Sequence, residues 1–218
     1  MFEHFKEESF IFDPEWTLNC SDLAIKVLVM VSSEQNSQKK YVGTLKDMCV
    51  WMGSKNSSYA NRNLKAAIEE LTEKGYVTYS RRGNYWIIEL ILSSSLKPFY
   101  FRYCWLEKIR TFNKDENGKR IDPKVSVDWI QMVKVFVYVL AYIPNDEITK
   151  QYVRAAEINM SSETFGIAFK ALNQIGLDDI GLHKRTRYVV TDVDDNEIPI
   201  SWKPIGSSFS SGLEWDGC

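Results

Sequence analysis

Leu64-Lys-Ala-Ala-Ile-Glu-Glu-Leu-Thr-Glu-Lys-Gly75-Tyr-Val-Thr-Tyr-Ser-Arg-Arg-Gly-Asn84-Tyr-Trp-Ile-Ile-Glu-Leu90 decides how the first half of the chain folds. Its opening carries Leu64, Ala67, Ile68 and Leu71 at the spacing that lines one face of an α-helix, and Ala60 extends that face backwards. Gly75 ends the helix, because glycine enters the left-handed conformation of a helix C-terminus without steric cost. Tyr76 to Ser80 then alternates as a half-buried strand does. Arg81-Arg-Gly-Asn84 makes a turn, and Tyr85 to Leu92 returns as a second strand rich in aromatic and β-branched residues. The stretch predicts a helix followed by a basic hairpin.

Upstream, Gly53 closes a short helix, and Ser54 to Ser58 supply a turn and the cap of the long one. That short helix begins at Thr44, with Asp47 three residues on in the capping-box position and Leu45, Met48, Cys49 and Met52 as its apolar stripe. Earlier still, Ser21 caps a helix in which Leu23, Ile25, Val27, Leu28 and Val31 recur densely enough to be buried, ending near Ser32. Ser33 to Lys40 reads as a polar loop. The first 19 residues read as an aromatic and acidic arm, packed in extended form through Phe10, Phe12 and Trp16.

Downstream, Ser93 to Pro98 breaks both periodicities and marks a boundary. The aromatic run from Phe99 to Ile109 is a connecting helix or strand, and Asn113 to Arg120 is a charged loop whose Asn-Gly pair suggests a tight turn between short strands. The second half then repeats the first in outline. Helices are expected over Val127 to Tyr142, Ile148 to Ile158 and Thr164 to Ile175, the last ended by Gly176, with a hairpin through Leu182 to Thr191. Ser207 to Cys218 reads as a flexible tail.

Composition narrows the function. The 218 residues carry a formal net charge of −2, so there is no global basic field, and any phosphate contact must come from a local patch. Such a patch exists between Lys39 and Arg82, where cations outnumber anions. Cys20, Cys49, Cys104 and Cys218 lack the close spacing of a zinc site and read as reduced thiols in or near a core. The acidic run at Asp192, Asp194 and Asp195 reads as an ordinary turn, and His4 and His183 stand near opposite ends of the chain. No metal, no cofactor and no catalytic constellation is expected, so the chain is read as a non-enzyme. The first residues have neither a basic nor an apolar region of a secretory signal, which predicts a soluble, cytoplasmic protein.

Thr44-Leu-Lys-Asp-Met-Cys-Val-Trp-Met-Gly53, followed by Asn63-Leu-Lys-Ala-Ala-Ile-Glu-Glu-Leu-Thr-Glu-Lys-Gly75, resembles winged helix-turn-helix proteins, in particular transcriptional regulators and the replication initiators of plasmids and phages. The fold expected is mainly α with small β-hairpins (α+β), arranged as two winged-helix-like domains in tandem. They would span residues 1–95, with the aromatic arm, and residues 96–206, before a tail at 207–218. The resemblance implies that Ser58, Asn61, Arg62 and Lys65 lie on a recognition helix and Arg81 and Arg82 on a wing. Lys55, Asn56 and Ser57 join the first group as outward residues at the start of the helix. Asn pairs bidentately with adenine and Arg with guanine, while Lys and Ser hold phosphates. Lys184, Arg185 and Arg187 form the corresponding basic cluster of the second half, where Glu163 near the third helix start is unhelpful opposite phosphate.

The function expected is double-stranded DNA binding in transcription regulation or replication initiation. The alternative is a protein-interaction adaptor or scaffold on the same folds, supported by the acidic pI of about 5.8. The aromatic-rich start of the second half, around Phe99 to Trp105, offers a surface for a homodimer or a partner protein.

Overall fold

The structure, a computed structural model, describes residues 9–36, 38–92, 99–115, 118–122, 125–142, 151–175, 181–184 and 188–191. The chain divides into two compact units, Met1–Tyr100 and Phe101–Cys218, and is of the α+β kind, small antiparallel sheets among several helices. No helix among the described residues is long and apolar enough to cross a membrane.

The first unit opens with strand β1 (Ser9–Phe12) and a short helix α1 (Glu15–Asn19), so the arm is not extended throughout as its composition suggested. Asp13 and Pro14 turn the chain: the Asp13 carbonyl accepts from the Trp16 N–H, and its carboxylate accepts from the Glu15 N–H at 2.9 Å. This brings Phe12 and Trp16 together, both buried, with ring centroids 5.0 Å apart.

Helix α2 (Asp22–Glu34) is capped by Ser21, whose hydroxyl accepts from the Ala24 N–H, and it is buried along most of its length. Strand β2 (Lys40–Gly43) follows where the sequence suggested a loop running up to Lys40. Helix α3 (Leu45–Trp51) carries the expected capping box between Thr44 and Asp47. Next come helix α4 (Ser58–Glu73) and the hairpin of β3 (Val77–Arg82) and β4 (Tyr85–Leu90). Leu64, Ala67, Ile68 and Leu71 form the buried stripe of α4, as their spacing requires. At its end Gly75 stands at φ +74°, and the Tyr76 N–H reaches back to the Leu71 carbonyl at 2.9 Å, the Schellman closure that only a left-handed residue permits at low cost.

The three strands form one antiparallel sheet in the order β2-β4-β3. Tyr41 lies opposite Ile88, which lies opposite Tyr79, and Gly43 opposite Trp86, which lies opposite Arg81. The hairpin turn is only Gly83-Asn84, closed by the Arg82–Tyr85 pair, so Arg81 and Arg82 belong to β3 rather than to the turn. The strand outlasts its hydrophobic pattern because the ladder, not burial, sets its length: every residue of β3 after Val77 is exposed.

The second unit contains β5 (Phe99–Arg102), which lies across the division, α5 (Tyr103–Thr111), α6 (Trp129–Tyr142), α7 (Gln151–Glu157), α8 (Ser162–Ile175) and an antiparallel pair, β6 (Gly181–Lys184) with β7 (Tyr188–Thr191). Helix α6 is buried nearly throughout and forms the core. Phe101, Trp105 and Phe136 meet edge to face, with centroids 5.2 to 5.8 Å apart. The aromatic run is therefore not an exposed surface as a whole: Phe101 and Trp105 are core residues, whereas Tyr100 and Tyr103 are exposed. Among the described residues the charged loop after α5 holds an isolated antiparallel bridge, Lys114 to Arg120. The boundary at Ser93 to Pro98, Gly176, Arg185, Arg187, the acidic run from Asp192 and the tail lie outside the described residues.

Candidate functional site

The segment that joins α3 to α4 is built by hydrogen bonds at both ends. As α3 closes, the Ser54 N–H donates to the Cys49 carbonyl at 2.8 Å. At the start of α4 the Ser57 hydroxyl accepts from the Ala60 N–H at 3.1 Å. Ser57 is thus the helix cap, its oxygen turned to the backbone. Between these anchors Lys55 and Asn56 are exposed, and Ser58 is the first, exposed residue of the helix.

Along α4, Arg62 and Lys65 are exposed as expected, but Asn61 is half-buried, and its side-chain oxygen lies 3.8 Å from the Cys49 sulfur, the thiol donating. The helical period explains this. Asn61 stands three residues before Leu64 and seven before Ile68, on the border of the buried stripe, so it leans toward α3 and does not project outward with Arg62. Tyr59, which the sequence reading passed over, is 67% exposed, and the Arg62 guanidinium carbon sits 5.4 Å from its ring centroid. The signal was available, since residues three apart on a helix are neighbours.

The terminal turns of α4 lack the charges that usually stabilise helix ends. Its first turn holds no acidic residue and its last turn no basic one, whereas helices are stabilised by the opposite arrangement. Lys55 stands three residues before the helix, Arg62 and Lys65 follow in its first half, and Glu69, Glu70 and Glu73 lie in its second half. Of the latter, Glu70 is engaged: it accepts from the Ser21 N–H at 3.0 Å and the Ser21 hydroxyl at 2.6 Å, and pairs with Lys74 at 2.7 Å. Burial works against its charge, but the hydrogen bonds from Lys74 and Ser21 outweigh it and hold the carboxyl below its ordinary value. By contrast, among the described residues Lys55, Arg62, Lys65, Arg81 and Arg82 form no ion pair.

On the hairpin, Arg81 and Arg82 follow one another in a strand and so point to opposite faces. Arg81 shares the row of Trp86 and lies over its ring, 5.0 Å from the centroid, with Tyr79 against the same indole at 5.1 Å. Arg82 shares the other face with Tyr85, which is exposed. No hydrogen bond, ion pair or ring contact joins these arginines to the α4 group among the described residues.

In the second unit Ser161 caps α8, accepting from the Thr164 N–H at 3.0 Å, and Glu163 occupies the first turn. This start carries the acidic residue that the first turn of α4 lacks. Lys184 is the last residue of β6, paired with Tyr188.

Compared with known proteins, the chain matches no family model, no curated protein and no solved structure.

Proposed function

We propose that this chain binds double-stranded DNA through its first unit, as a non-enzymatic protein of transcription regulation or replication initiation. In this reading α2, β2, α3, α4, β3 and β4 form a winged helix. Supporting it are the order helix, strand, helix, helix, strand, strand and the sheet order β2-β4-β3, in which the strand between the first two helices pairs with the last strand. Helix α4 is the recognition helix and the hairpin is the wing, so that Arg62 and Lys65 approach base edges and Lys55, Arg81 and Arg82 approach phosphates.

The observation that carries the reading is the group of exposed cations in and before the first half of α4, Lys55, Arg62 and Lys65, which form no ion pair among the described residues. A polyanion laid there meets charges that no carboxylate among those residues neutralises. The second unit opens α8 with an acid, Glu163, instead. Its part in this reading is to pair with a second copy of the chain or with a partner protein. Selection of duplexes from a randomised pool by the full chain tests the proposal. Enrichment of a common sequence is expected, and recovery of an unenriched pool contradicts it.

A protein-binding adaptor is the second reading, favoured by Val42 on β2 and Val50 on α3, which are 52% and 67% exposed. Replacing both with Ser leaves duplex binding unchanged if DNA is the partner.

A further inference from the structure

We infer that Tyr59 is a positioning residue for base recognition, its ring holding the Arg62 guanidinium in the plane needed to meet a guanine edge in the major groove. The inference rests on the duplex-binding reading above. A large aromatic side chain 67% exposed in the first turn of a helix contributes little to the core, which α4 builds from Leu64, Ala67, Ile68 and Leu71. What it does touch is Arg62. The two are three residues apart on one helix face, and the 5.4 Å separation from guanidinium carbon to ring centroid lies inside the range of about 6 Å over which a cation is drawn to an aromatic face.

The kind of contact matters more than its strength. A carboxylate partner would fix the guanidinium by consuming its N–H donors, whereas a ring fixes the plane and leaves the in-plane donors free. Among the described residues Arg62 has no carboxylate partner. An arginine held against a ring with its donors unspent is prepared for bidentate hydrogen bonding to O6 and N7 of guanine, and it loses less side-chain freedom on binding than an unsupported one. The ligand class is therefore a duplex with a guanine at the position that Arg62 reads. An arginine so supported discriminates that base rather than merely adding charge.

Duplexes selected from a randomised pool by the full chain first locate the position at which Arg62→Ala loses its preference for guanine. At that position, binding of matched guanine and adenine duplexes is then measured for Tyr59→Leu and Tyr59→Phe, with thermal unfolding of each variant to verify the fold. Tyr59→Leu is expected to lower the guanine preference about twofold to fivefold, the range of an exposed cation–π contact, while preferences elsewhere stay constant. Tyr59→Phe, which keeps the ring, retains the wild-type preference. Guanine preference lost in Arg62→Ala but intact in Tyr59→Leu overturns the positioning role and leaves duplex binding standing, as does an equal loss on every sequence. A pool in which no sequence is enriched overturns both.

Discussion

Three single residues show how local geometry constrains this chain. Gly43 is buried opposite Trp86, and a Cβ on it would overlap the Tyr41 hydroxyl oxygen and lie 2.7 Å from the adjoining ring carbon. Tyr41 is itself buried, and that burial, with Asp47 and Glu34 nearby, pushes its phenol up to about 12. Its rigid ring has little room to yield. Gly43→Ala is therefore expected to destabilise the first unit by about 1–3 kcal/mol, the usual cost of overpacking, read as a lower denaturant midpoint. Glu70 has a folded-state pKa below the ordinary 4.5, so the folded form binds its proton less readily than the unfolded chain. Its stabilisation is fully present above pH 4.5 and is lost as the pH falls through the lowered value. Glu70→Gln should accordingly cost more stability at neutral pH than at the acid end of that window, in unfolding curves taken at several pH values. Asn61 is the residue at which sequence reading went astray. An amide looks like a surface group, yet its place one turn before Leu64 already put it at the edge of the buried stripe, and the thiol of Cys49 gives it a partner there.

At the scale of elements, those governed by short-range rules were readable and those governed by pairing were not. Helices α2, α3 and α4 follow from caps and apolar spacing, and Ser21, Thr44, Gly53 and Gly75 delimit them within a few residues of where they were expected. Strand β2 was missed because four residues, Lys40 to Gly43, carry too little alternation to signal a strand. Its conformation comes from the ladder with β4, residues 85–90, far along the chain. The same dependence extended β3 through Arg82 and set the two arginines on opposite faces. Helix α3, with seven residues, is too short to persist alone and relies on its cap. The Thr44 hydroxyl accepts from the Asp47 N–H at 3.2 Å, and the Asp47 carboxylate accepts in return from the Thr44 N–H at 2.8 Å. Thr44→Ala should cost about 1 kcal/mol, measured by chemical denaturation. Ile68→Ala, which empties a fully buried site on α4, should cost about 2–5 kcal/mol in the same measurement.

For the whole molecule, net charge and local charge point in different directions. A chain of formal charge −2 has no long-range attraction for a polyanion, but the start of α4 and the hairpin concentrate cations that no carboxylate among the described residues neutralises. That concentration was legible in the sequence as a run of cations from Lys39 to Arg82. Which of them are spent was not, because the pairing of Lys40 with Glu89 and of Lys74 with Glu70 emerges only on folding. The two units also differ where their sequences looked alike: α8 carries an acid in its first turn and α4 carries none. In the proposed reading duplex affinity belongs to the first unit and should fall steeply as salt rises. The most direct test is to titrate the full chain onto a selected duplex over a series of salt concentrations and compare it with the Arg81→Ala, Arg82→Ala double variant. If both arginines meet phosphate, the slope of log affinity against log salt becomes shallower by about 0.9 for each one removed, roughly 1.8 in all. An unchanged slope, or a wild-type affinity indifferent to salt, contradicts the account.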